Sequence, residues 1–258
     1  MIDPLDPDRI SGQLPTRALG RQVLVFDSTA STHDIAAAYA GSVKNQGTVI
    51  LAEQQDQGRG RGGNRWQSGR GDSVLCSIVL INCPLQPNLL SLCTAVAVAE
   101  AIGPQARIKW PNDLLVQGKK VCGILTERRV YADHTAMLVG MGINCHQRDQ
   151  DFPEEIRTQA TSLDRVTGAV TDRTALIRRV LVCLETWLER AHADAQAVVT
   201  QWSRLSVLLG RRVTVLYQGT PFTGHCLGID PQDGLILRLD SGAIRMFEAA
   251  HSSIAKWS

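Results

Sequence analysis

The chain has 258 residues, 44 % of them apolar, with 27 Lys+Arg against 25 Asp+Glu and a formal net charge of +2. That length accommodates one large core and a small second domain, and the near-neutral balance supplies no global cationic field for nucleic acid or an anionic membrane. No run approaches the ~18 apolar residues of a membrane span, and the acidic, proline-broken start Met1-Ile2-Asp3-Pro4-Leu5-Asp6-Pro7 is unlike a signal peptide.

The expectation is therefore a soluble, cytoplasmic protein with no membrane partner. The 7 cysteines are odd in number, scattered and without Cys-x-x-Cys spacing, so they read as reduced core thiols rather than a zinc site or a disulfide framework.

Residues 1–20, rich in Asp and Pro, read as an N-terminal extension that crosses the surface. A strand at 22–26 leads to the hydroxyl-rich Ser28-Thr29-Ala30-Ser31-Thr32, which offers N-caps to a helix at 34–40 stopped by Gly41. A buried strand is expected at 48–52. Between Gln57 and Gly71 lie six glycines and Arg59, Arg61, Arg65 and Arg70, with only Trp66 as an apolar anchor, too little to order the segment by itself.

A strand at 73–81 and a helix at 87–102, opened by Pro87, come next. Short strands at 107–109, 114–116, 121–126 and 136–143 are separated by turn residues. An amphipathic helix capped by Asp172 and a second helical stretch over 193–205 complete the larger unit. From Arg211 the period changes to short strands joined by Gly and Asp-Gly turns, the signature of a small β-barrel. The fold class expected is α+β, a central mixed or antiparallel sheet with packed helices plus a small C-terminal barrel. The units are an extension 1–20, a catalytic domain 21–208 and a C-terminal domain 209–258.

Three stretches carry chemistry. In Gly58-Arg59-Gly60-Arg61-Gly62-Gly63-Asn64-Arg65-Trp66, glycines allow close backbone approach and arginines supply forked donors for carboxylate or phosphate. Such a loop suits either a lid over an anion or an RNA contact, and its place between two apolar strands favours the lid. In Lys109-Trp110-Pro111-Asn112-Asp113, an ammonium sits among apolar neighbours and a turn exposes Asn112 and Asp113. In Gly140-Met141-Gly142-Ile143-Asn144, alternate glycines bare one face of a strand, to a ligand or to a packed helix.

Together and in this order, these stretches resemble the biotin protein ligases. The match extends over Ser31-Thr32-His33-Asp34, Glu53 to Trp66, Lys109 to Asp113, Gly118 to Glu127, Gly140 to Asn144 and Thr161-Ser162-Leu163. The resemblance implies a class II synthetase-like catalytic domain with an SH3-like C-terminal domain. It implies the substrates biotin and ATP with Mg²⁺, a biotinyl-5′-AMP intermediate, and as partner a biotin carboxyl carrier protein. It is also compatible with a homodimer.

By the same resemblance, biotin is held by Ser31, Thr32, His33, Gln55, Arg59, Gly60, Arg61 and Lys109, above Gly123, Gly140 and Gly142. The adenylate lies against Trp66, with Arg59, Arg61, Lys109, Asn112 and Asn144 around it. Lys109 and Arg59 neutralise charge, and Asp113 orients or deprotonates the acceptor lysine. No side chain is assigned to metal. His33 stands where the family usually has Asn, and Ala249-Ala250-His251-Ser252-Ser253 replaces the family's Gly-Glu-hydrophobic-Ser turn. Members that repress transcription carry an N-terminal DNA-binding domain, for which 1–20 has no room, so no DNA partner is expected. The alternatives are a lipoate or octanoate ligase-like acyltransferase and an inactive biotin sensor.

Overall fold

In the computed structural model, which describes residues 4–257, the chain opens with a short helix α1 (Pro7–Ser11). Met1, Ile2, Asp3 and Ser258, and with them part of the acidic start, lie outside the described residues. The expectation that residues 1–20 merely cross the surface does not hold for the described part. Leu5, Ile10, Leu14 and Leu19 are all buried, because four large apolar side chains outweigh the polar residues between them.

The strands β1 (Val23–Phe26), β2 (Val49–Ala52) and β3 (Ser73–Ile81) are interleaved with the helices α2 (Thr32–Tyr39) and, after β3, α3 (Pro87–Ile102). Then come β4 (Arg107–Lys109), β5 (Asp113–Val116), β6 (Lys119–Val130) and β7 (Thr135–Asn144), followed by α4 (Leu163–Thr167), α5 (Arg173–Ala193) and α6 (Ala195–Leu205). A second run of strands closes the chain: β8 (Arg212–Tyr217), β9 (Thr220–Asp230), β10 (Gly234–Leu239), β11 (Ile244–Phe247) and β12 (Ser252–Trp257).

The first seven strands form one sheet in the order β1-β2-β3-β7-β6-β5-β4. Only β1 and β2 run parallel; the other neighbours are antiparallel, so the sheet is mixed, as expected. The last five strands form a separate antiparallel sheet, β11-β10-β9-β8-β12, the expected small β domain.

The large sheet is covered on both faces by different means. On one face α3 packs against α5 and α6, and α3 is buried nearly all round, from Leu90 through Ala101. A helix wedged between a sheet and two helices keeps little solvent face, here Glu100. On the other face α2 packs through Ala36 and Ala40 against Ile50, Val79, Ala136 and Leu138. Ser31 caps α2, its hydroxyl accepting the N–H of His33 at 3.2 Å. Because α2 covers only part of this face, the rest of it is left for a cleft.

Candidate active site

Register places the site. Directly opposed residues share a face of a sheet, and one row crosses five strands: Leu75 on β3, Gly142 on β7, Gly123 on β6, Asp113 on β5 and Lys109 on β4. Beside it, Ser77 of β3 opposes Gly140 of β7. These rows floor a cleft of about 1320 Å³. The N-terminal turn of α2 closes one end, the arginine-glycine loop lies across it, and the C-terminal sheet adds a wall through Leu216, Gln218 and the stretch 250–254.

The loop is ordered by more than the sequence suggests. Gly60 N–H donates to the Asn64 carbonyl at 2.7 Å and Trp66 N–H to the Gly58 carbonyl at 2.9 Å, so the segment folds back on itself. Its single aromatic anchor then seats on glycine: a Cβ at Gly142 would overlap the Trp66 indole, and one at Gly123 would lie 3.1 Å from it. At Gly140 a Cβ would come within 2.8 Å of His33 Nδ1. The alternate glycines of β7 therefore make room for Trp66 of the loop at Gly142 and for His33 of the packed helix α2 at Gly140.

Every side chain of the sequence-derived site lines this cleft except one. Ser31, Thr32 and His33 stand at its α2 end, with Gln55 accepting Thr32 N–H at 2.7 Å and the Thr32 hydroxyl at 2.9 Å. The other hydroxyl pair of this stretch, Ser28-Thr29, is not among the lining residues. Arg59 pairs with Asp34 at 2.6 Å, and Asp113 pairs with Lys120 at 2.5 Å. Asn112 donates to the Ile124 carbonyl at 2.9 Å. Asn144 is the exception: buried at the end of β7, it donates to the Thr161 carbonyl at 3.0 Å and accepts from Gln147, outside the cleft. Its amide ties β7 to the following loop.

Two cations differ from the rest. Lys109 is half-buried with its ammonium 4.4 Å from the centroid of the Trp257 ring, and Arg61 donates to Asn112 at 3.3 Å and to the Ala249 carbonyl. Neither is in an ion pair among the described residues. Burial lowers the pKa of both, Asp113 opposing that effect in each case and Lys120 adding to it at Lys109. Partly desolvated cations that no carboxylate pairs within salt-bridge distance form a ready site for an anion.

The sequence alone missed Ser77, Glu127 and Lys120, although the last two lie in a quoted motif. It also missed the wall made by the C-terminal sheet, including Trp257. Ser77 left a faint signal, as a polar residue inside the apolar run 74–81, and the wall one only in the departure from the family's turn over 249–253.

A mixed sheet whose glycine-floored cleft presents unpaired cations, roofed by a small β domain, describes an enzyme that binds and activates anions. The family model described as "Biotin/lipoate A/B protein ligase family" matches residues 25–144, and that for "Biotin protein ligase C terminal domain" matches 208–250. A bifunctional ligase/repressor from Bacillus subtilis is 34 % identical over 253 residues, covering 95 % of this chain and 78 % of that protein. A biotin–[acetyl-CoA-carboxylase] ligase from Mycobacterium tuberculosis is 32 % identical over 247 residues, 91 % and 90 % of the two chains. Among solved structures, the biotin protein ligase of Aquifex aeolicus in complex with biotin and ATP superposes with a TM-score of 0.78 at 27 % identity, covering 92 % of this chain and 99 % of that one. The chain belongs to the biotin protein ligase family.

Proposed function

We propose that the cleft joins biotin to ATP and then hands biotin to a lysine of a biotin carboxyl carrier domain. In the first step a carboxylate oxygen of biotin attacks the α-phosphorus of ATP, pyrophosphate leaves, and biotinyl-5′-AMP forms. In the second the carrier's amine attacks the acyl carbon, AMP leaves, and the amine loses its proton. The observation that carries this proposal is the pair Lys109 and Arg61, unpaired cations at the end of a floor whose other end is polar but uncharged at Ser31, Thr32 and Gln55. A carboxylate and a phosphate about 4 Å apart repel by ~4 kcal/mol at an effective dielectric near 20, worth nearly three decades of rate at ~1.4 kcal/mol per tenfold. Lys109 and Arg61 offset that repulsion where the two anions meet.

Arg59 acts from the loop. Held by Asp34 at 2.6 Å, it borders the cleft with Gly60 and exchanges that carboxylate for a ligand anion. Trp66, stacked on Gly123 and Gly142, supplies an apolar surface over which biotin's ring system or the adenylate lies. Magnesium would enter with ATP. Among the described residues no group of three or more ligating side chains exists, and Mg²⁺ ordinarily takes most of its oxygens from phosphate and water with one or two carboxylates. Asp113 is the cleft carboxylate nearest to Lys109 in the register. Its partner Lys120 must give way before it can orient or deprotonate the acceptor lysine, whose reference pKa is ~10.4.

The division at 208/209 assigns the chemistry to the large sheet and the second wall to the small one. Seven free thiols, several of them pushed well up by burial, suit a reducing compartment such as the cytoplasm. No helix among the described residues is long and apolar enough to cross a membrane. The test is to incubate the protein with biotin, Mg-ATP and a biotin carboxyl carrier domain, with a lipoyl domain as control. One biotin mass added to the first carrier alone is expected; labelling of the lipoyl domain instead would overturn the assignment.

A further inference from the structure

The arginine-glycine loop leaves the large sheet after β2 and returns at Ser73, the first residue of β3. Its tip is stiffened by the Gly60–Asn64 and Trp66–Gly58 bonds. Glycines in both limbs, at Gly58, Gly69 and Gly71, give the limbs little stiffness of their own. Where the tip lies over the cleft is therefore set by how the limbs are held at their base.

The outgoing limb is tied to the segment ahead of α2: Thr29 N–H donates to the Gln54 carbonyl at 3.2 Å, Asp56 N–H to the Thr29 carbonyl at 3.0 Å and Gln57 N–H to the Ala30 carbonyl at 2.8 Å. The returning limb comes back to the same place, with Gly71 N–H donating to the Glu53 carbonyl at 2.9 Å and the Ser68 hydroxyl to Ser73 Oγ at 2.9 Å. Its pair between Arg70 and Asp27 is exposed and adds little. Both limbs then meet on Arg173 of α5. Its Nη1 donates to Glu53 Oε2 at 2.7 Å and to the Ser73 carbonyl at 3.3 Å, so one nitrogen holds the residue where the loop leaves and the residue where it returns. Arg173, Glu53 and Ser73 are all buried, where charge-assisted hydrogen bonds hold their geometry tightly. None of the three lines the cleft, so they reach a ligand only through the loop.

We propose that Arg173 is a positioning residue for the arginine-glycine loop. By pinching the two ends of the loop together, with Glu53 as the other jaw, it holds Arg59, Arg61 and Trp66 over the cleft and so sets how long biotinyl-AMP stays bound. The ligand rests on the biotin ligase reading above; the clamp rests on the geometry alone. A loop held closed slows escape of the intermediate rather than the chemistry that makes it.

The test compares three variants of the full chain with wild type. Glu53→Gln/Arg173→Met replaces both charges by neutral side chains of similar length, an exchange that a buried site tolerates better than the loss of one partner. Arg173→Lys keeps a cation beside Glu53 without the forked donors of guanidinium. Glu185→Gln is the control. About three turns further along α5, the Glu185 carboxylate takes the N–H groups of Arg17, Ala18 and Leu19, so this variant loosens the N-terminal segment away from the loop. Dissociation of labelled biotinyl-AMP, chased with unlabelled, is expected to quicken about tenfold in the double variant, the effect of one lost charge-assisted hydrogen bond. About threefold is expected in Arg173→Lys and less than about twofold in Glu185→Gln. Dissociation within twofold of wild type in both Arg173 variants, or a rise as large in Glu185→Gln, would overturn the proposal. A wild type that forms no biotinyl-AMP would sink the ligase reading alone. The clamp would then stand or fall on trypsin cutting between Arg59 and Arg70 of the free chain, which should quicken in the double variant and not in Glu185→Gln; equal cutting in the two would overturn it.

Discussion

Two regions of this molecule hold buried charge in opposite ways. Where β2 ends, the Glu53 carboxylate takes Arg173 Nη1 at 2.7 Å and Leu5 N–H at 2.6 Å, and Arg173 also donates to the Ser73 carbonyl at 3.3 Å. With side chains 9 % and 2 % exposed, that pair is closed. In the cleft, Lys109 and Arg61 are also partly buried but touch an aromatic ring, an amide and a carbonyl, while the nearby Asp113 carboxylate is paired with Lys120. The first arrangement fastens the N-terminal segment to α5; the second leaves its positive charge for a ligand. A buried cation is structural or functional according to whether the fold itself completes its neutralisation.

Breaking the closed pair should cost the most stability. Glu53→Ala removes the carboxylate that Arg173 and Leu5 N–H share, and breaking a buried ion pair costs about 3–5 kcal/mol, to be read from urea unfolding. A variant within 0.5 kcal/mol of wild type would mean the pair is not a fastening. Lys109→Ala should reverse the pattern, leaving stability intact while biotin-dependent pyrophosphate release falls by nearly three decades. Wild-type release from this variant would remove its charge-neutralising role.

A smaller effect separates the two regions by pH. Burial, reinforced by Arg59 and Arg129, outweighs Glu127 and Asp34 and holds His33 at about 4, below its ordinary 6.5, while the Ser77 hydroxyl faces its other nitrogen. The unfolded chain therefore takes this proton first as pH falls, and stability drops between about 6.5 and 4, then levels off. Between pH 7 and pH 5 the wild type should lose roughly 2 kcal/mol more than His33→Asn by urea midpoint; equal losses would contradict it. Smallest of all, Trp257→Leu removes a cation–π contact worth about 0.5–1 kcal/mol at a partly exposed site. Adenylation should slow two- to fivefold, measured as kcat/KM; no change would leave the C-terminal wall without a part in holding Lys109.

Much of the site was legible because its residues are local. Lys109 to Asp113 is one turn between two strands, and the alternation of Gly140 and Gly142 shows in any strand reading. What local pattern cannot state is register. Nothing in the chain order says that Lys109, Asp113, Gly123 and Gly142 fall into one row; beyond the turn at 109–113, that follows from the pairings of β5 with β6 and of β6 with β7. The N-terminal segment misled because composition averages over Leu5, Ile10, Leu14 and Leu19, whose spacing of four and five residues was the available clue. Asn144 shows the same limit: its place at the end of a glycine strand is legible, but its amide bonds to Thr161 and Gln147 are not. The C-terminal wall was hard to see because Leu216 and Gln218 carry no motif and matter only by position.

The most direct measurement is biotin-dependent exchange of labelled pyrophosphate into ATP, run with biotin, lipoate and octanoate in parallel. A cleft with unpaired cations at one end and the Thr32–Gln55 pair at the other should support exchange with biotin and little with the two acids that lack a urea. Exchange with lipoate or octanoate but not biotin, or none with any of the three, would contradict the assignment of this cleft to biotin activation.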